Sequence, residues 1–215
     1  MHLVSRPCPT DLLKRMFDDT LSFSSGAVVA GGAARLLWFN ELAPLEKLTQ
    51  NRVVTQSDID VFVYPSHCEF LFMKDYIEQR YDRKPSSVGM PAPTYETVNA
   101  ISYNNCKLDE KFYSIQLIKR HRRDLTDIFN CFDLVNCQFA TDGRTIVATA
   151  QAVTAWQEHR LVMNGQYDNK AIKLDRMLKY LAMGLMPDRI LWNHIMTKAV
   201  EARSVGMFPD GDYDF

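Results

Sequence analysis

Val28-Val29-Ala30-Gly31-Gly32-Ala33-Ala34-Arg35, followed by Asp58-Ile59-Asp60-Val61-Phe62-Val63, is the sequence from which the fold is read. The first stretch reads as a short buried strand, Gly26 to Ala30, stopped by two glycines. An amphipathic helix follows from Ala33, carrying Leu36, Leu37 and Phe39, and fades near Pro44. Glycines let the backbone approach a phosphate closely, and a helix N-terminus offers unpaired N–H groups to an anion. The second stretch reads as a strand with alternation at its start. Residues two apart on a strand share a face, so Asp58 and Asp60 lie side by side. Two such carboxylates repel unless a cation sits between them, and hard divalent ions take oxygen ligands. The plainer alternatives are a Gly-Gly turn that serves packing and an acidic pair at a solvated edge or helix cap.

Working outward, Thr10 can cap a helix over Asp11 to Asp19, with Leu12, Leu13, Met16 and Phe17 on one face. Ser66-His67-Cys68-Glu69 has capping-box spacing and opens a helix that runs to about Arg80. Residues 82–94 hold three prolines and a glycine and read as a loop. Strands are expected at Thr97–Tyr103 and Lys111–Ile118, a short helix at Leu125–Asn130, and a strand at Phe132–Ala140. Asp142-Gly143 signals a hairpin, with Thr145–Ala148 returning. From Ala150 the pattern turns helical, over 150–161, 171–184 and 187–202, with Pro187 in the first turn of the last helix. The fold class is therefore α+β: a small mixed sheet with helices packed on it, followed by a helical subdomain. The expected domains are a core over 1–149, the helical part over 150–203 and a tail over 204–215.

The chain has 215 residues, 47% hydrophobic and 24% charged, which is ordinary globular usage. A net charge of -1 gives no reason to expect a large nucleic-acid or anionic-membrane footprint. The five cysteines show no Cys-x-x-Cys pair and read as reduced thiols. Residues 1–10 show no apolar signal core, and no apolar run approaches the ~18 residues that span a bilayer. A cytoplasmic protein without a membrane segment is expected.

A third acid, Asp133, lies within the apolar run Phe132-Asp133-Leu134-Val135. Three carboxylates from two neighbouring strands can hold two divalent ions, which clamp the attacking and leaving oxygens of a phosphoryl-type transfer. Asp133 could equally be a strand-end carboxylate paired with a nearby arginine. Lys119-Arg120-His121-Arg122-Arg123 is the densest basic run, and Lys119 could neutralise a triphosphate. Lys173, Arg176 and Lys179 recur at helical spacing, so Arg176 and Lys179 could meet a nucleotide from the helical part. Ser57, just before the acidic pair, could shape the start of that strand. For the basic groups, a solvated face is the competing reading. There is no Gly-x-Ser-x-Gly turn and no Walker A loop.

Gly31-Gly32, Asp58-x-Asp60 and Asp133 resemble the pattern of the DNA polymerase beta-like nucleotidyltransferase superfamily. Val29 to Arg35 is similar to the Gly-Gly-x-x-Arg opening of tRNA nucleotidyltransferases and bacterial poly(A) polymerases. The resemblance implies a nucleotidyltransferase core and two Mg²⁺ ions, with Mn²⁺ as a substitute, held by Asp58, Asp60 and Asp133 as the catalytic carboxylates. It implies a nucleoside triphosphate donor, ATP foremost, at Gly31, Gly32, Arg35, Ser57, Lys119, Arg176 and Lys179. The sequence departs from that pattern in three places. The stretch between Gly32 and Asp58 is long, Leu36 follows Arg35 where an Asp is usual, and Arg122-Arg123-Asp124-Leu125-Thr126 precedes Asp133 instead of following it.

The function expected on this resemblance is metal-dependent transfer of a nucleoside monophosphate to a hydroxyl of RNA, a protein or a small molecule. The alternatives are an inactive protein of that fold that binds nucleotide, nucleic acid or a partner protein, and a different two-metal phosphohydrolase or an unrelated α/β protein.

Overall fold

Alternation of apolar and polar residues decides which face of each strand is buried, and eight of the ten strands here assemble into one large sheet. The computed structural model describes residues 1–24, 26–41, 58–64, 66–81, 94–108, 111–120, 122–167 and 174–204. Its strands are β1 (Leu3–Pro7), β2 (Gly26–Ala30), β3 (Ile59–Tyr64), β4 (Thr94–Glu96), β5 (Ala100–Leu108), β6 (Lys111–Ile118), β7 (Phe139–Thr141), β8 (Thr145–Thr149), β9 (Arg160–Leu161) and β10 (Met186–Pro187). Its helices are α1 (Leu12–Phe17), α2 (Gly32–Trp38), α3 (His67–Arg80), α4 (Leu125–Asn130), α5 (Ala150–Gln157), α6 (Leu174–Ala182) and α7 (Arg189–Ser204).

Eight strands join in the order β1-β8-β7-β2-β3-β6-β5-β4, and β9 with β10 form a separate parallel pair. Within the large sheet only β3 and β6 run parallel; the other neighbours are antiparallel. The α+β class stands, but the sheet is larger than the small one expected. β1 supplies one of the extra strands. Its residues alternate between exposed and half-buried, an edge pattern with little apolar signal to read.

One face of the sheet carries Ala27, Val29, Ile59, Val61, Val63, Ile115 and Leu117 against Leu13, Met16 and Phe17 of α1 and Phe70, Met73 and Ile77 of α3. The other carries Val28, Ala30, Phe62, Tyr64 and Ala140 against Ile128 and Phe129 of α4. A third cluster joins Ala34 of α2, Phe139, Ala148 and Ala152 of α5. The two last helices pack on each other and on Leu134 and Cys137 through Met177, Leu185, Leu191 and Ile195.

The capping box forms as read: the Ser66 hydroxyl accepts from the Cys68 N–H, and the Ser66 and Glu69 side chains meet. Gly143 has φ +83, and Asp142 accepts from the Arg144 and Thr145 N–H groups, so the hairpin follows its turn chemistry. Pro187 lies in β10, and Asp188 caps α7 by accepting from the Leu191 N–H. The expected strand over 132–140 begins only at Phe139. Before it the chain bends at Asp133 and makes a 3-10 turn over Val135–Cys137. Asn136 and Asn164 hold this bend: Asn136 binds the Arg160 carbonyl and the Val162 N–H, and Asn164 donates to the Phe129 and Phe132 carbonyls. The loop read over 82–94 lies, through residue 93, outside the described residues, as does the tail from 205.

Phe139 links sheet to helices. Its ring is fully buried, edge-on to Trp38 at 5.8 Å and Phe39 at 6.1 Å, and its carbonyl accepts from the Gly31 N–H at 2.9 Å. Phe139→Ala is expected to cost about 3–5 kcal/mol through lost burial and the cavity left behind. Urea denaturation would read this as a lower midpoint at unchanged slope; a shift of only a few tenths of a kcal/mol would contradict the packing described.

Candidate functional site

The candidate site forms where β2 ends and β3 begins. Those strands are antiparallel with Ala30 opposite Asp60, so the Gly31 turn is brought beside the start of β3. Gly31 has φ +80, a conformation L side chains rarely adopt. A Cβ there would lie 3.4 Å from the Phe132 ring and 3.7 Å from Asp60 Oδ2. The carbonyl of Gly31 accepts from the Arg35 N–H as α2 begins at Gly32, one residue before the sequence suggested.

Asp60 shares its sheet face with Phe62 and Tyr64, and Asp58 lies one residue ahead of the strand, exposed. On the other side β6 runs parallel to β3 with Gln116 in register with Asp60, and Gln116 Nε2 donates to Asp58 Oδ2 at 2.7 Å. Removal from water and then the neighbouring Asp58 charge push Asp60 up to about 7, while Arg176 and Lys179 pull it down. The positive charges come from α6, where Arg176 and Lys179 stand about one turn apart.

Arg176 Nη1 pairs with Asp133 Oδ1 at 2.9 Å. Asp133 is buried within the bend after α4, and its carbonyl accepts from the Asn164 N–H at 2.8 Å. Beneath the pair, the Tyr180 hydroxyl and the Cys137 thiol are 3.0 Å apart. Burial pushes Cys137 up to about 11, so this thiol stays neutral near pH 7.

Gly31, Asp58, Asp60, Arg176 and Lys179 are therefore gathered at one site, with Asp133 joined to it through Arg176. The other expected residues are not. Arg35 is buried between helices, its guanidinium 4.3 Å from the centre of the Trp156 ring and 2.9 Å from Glu41. Lys119 is held at the β4–β5 turn, bound to Glu96 at 2.5 Å and to the Thr97 carbonyl at 2.6 Å. Arg123 pairs with Asp127, and Asp124 caps α4 by accepting from the Asp127 N–H, so that part of the basic run starts a helix. Gly32 is the first helical residue. Ser57 lies outside the described residues.

Among the described residues no group of three His, Cys, Asp or Glu side chains stands together as a metal cluster. Asp133 does not complete a strand-borne triad, because it sits in a bend and Arg176 neutralises it. The reading that fits is a mutually repelling pair, Asp58 and Asp60, able to hold one hard cation, beside a guanidinium and an ammonium able to meet an anion. Gln116, which bonds Asp58, and Phe132, which packs at the Gly31 turn, were not singled out from the sequence. Both depend on pairings between distant segments that no local pattern encodes.

Such a site, on an α+β sheet with a helical addition, defines a protein with a mixed-charge cluster at the start of β3. The family described as Gabija anti-defense 2 family protein matches residues 4–159, well over half of the chain, and the protein belongs to that family. This match replaces the polymerase beta-like nucleotidyltransferase superfamily, to which the short Gly-Gly and Asp-x-Asp signatures pointed. It also replaces nucleotidyl transfer as the expected function. Five residues spread over a hundred positions can recur by shared local chemistry, whereas the family match follows the sheet from β1 to α5. No curated protein matches the chain. No helix among the described residues is long and apolar enough to cross a membrane.

The raised Asp60 value has a thermodynamic sign. The folded protein holds a proton to about pH 7, whereas an unfolded aspartate releases it near 3.8. Asp60 thus adds no penalty below pH 4, and costs the fold increasingly as pH rises from about 4 to about 7. Asp60→Asn removes this titration. Urea denaturation across that range should show the variant gaining on the unaltered protein as pH rises, with the gap closing near pH 4. A gap that does not change with pH would remove the assignment.

Proposed function

We propose that this protein counteracts the Gabija defense system, and that it does so through the site formed by Gly31, Asp58, Asp60, Arg176 and Lys179. Family membership supports the biological role. The observation that carries the site is the meeting of opposite charges from separate elements: Asp60 of β3 beside the Gly31 turn, Asp58 bonded by Gln116, and Arg176 of α6 bonded to Asp133 in the bend.

The ligand class we propose is a nucleoside triphosphate carried with a divalent ion, ATP and Mg²⁺ being the first to test. Asp58 and Asp60 would hold the ion, whose bound charge relieves their repulsion and polarises a phosphate oxygen. Arg176 and Lys179 supply donors to phosphate oxygens, Arg176 as a planar fork and Lys179 as a point charge. The Gly31 turn keeps side-chain atoms out of the space beside Asp60. Gln116 fixes the Asp58 carboxylate at the rim.

The test is infection of cells that carry the Gabija system by a virus it restricts, with the protein supplied in trans. Plating should be restored by the unaltered chain. It should fall by at least about tenfold with Asp58→Asn or Asp60→Asn at equal protein level, as loss of one charge-assisted contact is worth on the order of 1.5–3 kcal/mol. Full protection by both variants would remove the acidic pair from the mechanism. Failure of the unaltered chain would remove the biological role.

A further inference from the structure

The two halves of the mixed-charge cluster belong to different parts of the chain. Asp60 is in the large sheet, and Asp133 is in the bend tied down by Asn136 and Asn164. Arg176 and Lys179 are carried by α6. Among the described residues the one strand of the helical part is β10, and it pairs with the two residues of β9 instead of with the large sheet. Met177 is the one buried residue of α6. Helix α7 turns Leu191 and Ile195 inward, and leaves Trp192, Met196 and Val200 exposed. The helical part therefore docks over one small apolar cluster, shared with Leu134, Cys137 and Leu161. Two polar contacts complete the docking: Arg176 on Asp133, and the Tyr180 hydroxyl on the Cys137 thiol at 3.0 Å. The Tyr180 ring also stands edge-on to Trp156 at 6.1 Å. The core under α1 and α3 contains none of these residues. Segments held by few buried apolar contacts open at a lower free energy than the whole fold.

We propose that α6 and α7 form a lid, which lifts from the bend as a unit while the sheet stays folded, and which carries Arg176 and Lys179 away from the carboxylates. Tyr180 is its latch. With the lid docked Cys137 is 6% exposed, and lifting α6 uncovers its thiol. Docking assembles the mixed-charge cluster, so a ligand that touches both halves binds the docked form and holds the lid shut. That last step rests on the ligand class proposed above; the opening itself does not.

Cys137 is a natural reporter of the lid, and Cys106, 2% exposed in the core under α1 and α3, is its control. The full-length protein is pulsed with iodoacetamide at rising urea below the global transition, and each thiol is read by peptide mass spectrometry. Cys137 should be alkylated at least about tenfold faster than Cys106. Its urea dependence should be shallow, because a local opening exposes less surface than global unfolding. Cys137 alkylation that rises with the full slope of global unfolding overturns the proposal.

Two variants separate lid from core. Tyr180→Phe keeps the ring and removes the hydroxyl, and should speed Cys137 alkylation about fivefold, the order expected for one hydrogen bond. Met73→Ala, in the core under α3, should lower the global urea midpoint and leave Cys137 alkylation at low urea unchanged. Cys137 alkylation that speeds with Met73→Ala as much as that of Cys106 also overturns the lid. Mg²⁺ with ATP, at ten times its dissociation constant, should slow Cys137 alkylation about tenfold. A shallow opening that Mg²⁺ with ATP does not slow keeps the lid and removes the ligand class alone.

Discussion

Strand β3 is bonded on both sides, antiparallel to β2 and parallel to β6, and the candidate site depends on those two registers. The first puts Ala30 opposite Asp60, and therefore the Gly31 turn beside the acidic pair. The second puts Gln116 in line with Asp60 and within reach of Asp58. A slip of one residue in either pairing would turn Asp60 to the opposite face, into Met16, Met73 and Ile115. Burying a carboxylate there without a partner would be prohibitive, so the apolar residues alternating with Asp60 hold the site in register.

The charges are arranged by a second constraint, which is that the chain must return over the sheet after α4. It does so through a bend and a 3-10 turn instead of a strand, tied by Asn136 and Asn164. The bend carries Asp133 to α6, where Arg176 meets it. The same turn places Leu134 and Cys137 against Met177 and Leu191, so the apolar packing that docks the helical part also positions its basic residues. Stability and site geometry are thus tied together at one contact.

Much of the local structure was legible because its causes are local. Ser66 and Glu69 start α3, Asp142 and Gly143 make the hairpin, and the alternation of β3 gives Asp58 and Asp60 a common face. The family was not legible from the same residues. A Gly-Gly turn and an acidic pair are answers to general problems of backbone approach and cation binding, so unrelated chains can share them. Arg35 and Lys119 show the same limit: both have the right charge, but Trp156 with Glu41 and Glu96 with Thr97 claim them.

By itself, then, the sequence determined an α+β protein with a Gly-Gly turn after a buried strand, two carboxylates on one face, and arginine and lysine at helical spacing near residue 176. These follow from φ preferences and from the two side-chain periods, which act over a few residues. Only the tertiary structure decided that Asp133 lies in a bend, that it faces Arg176, that Gln116 bonds Asp58, and that Phe132 and Asp60 both adjoin Gly31. Each of those contacts joins segments tens of residues apart. Their geometry is set by strand register and by the packing of α6 on the turn before β7, neither of which leaves a trace in any short stretch of sequence.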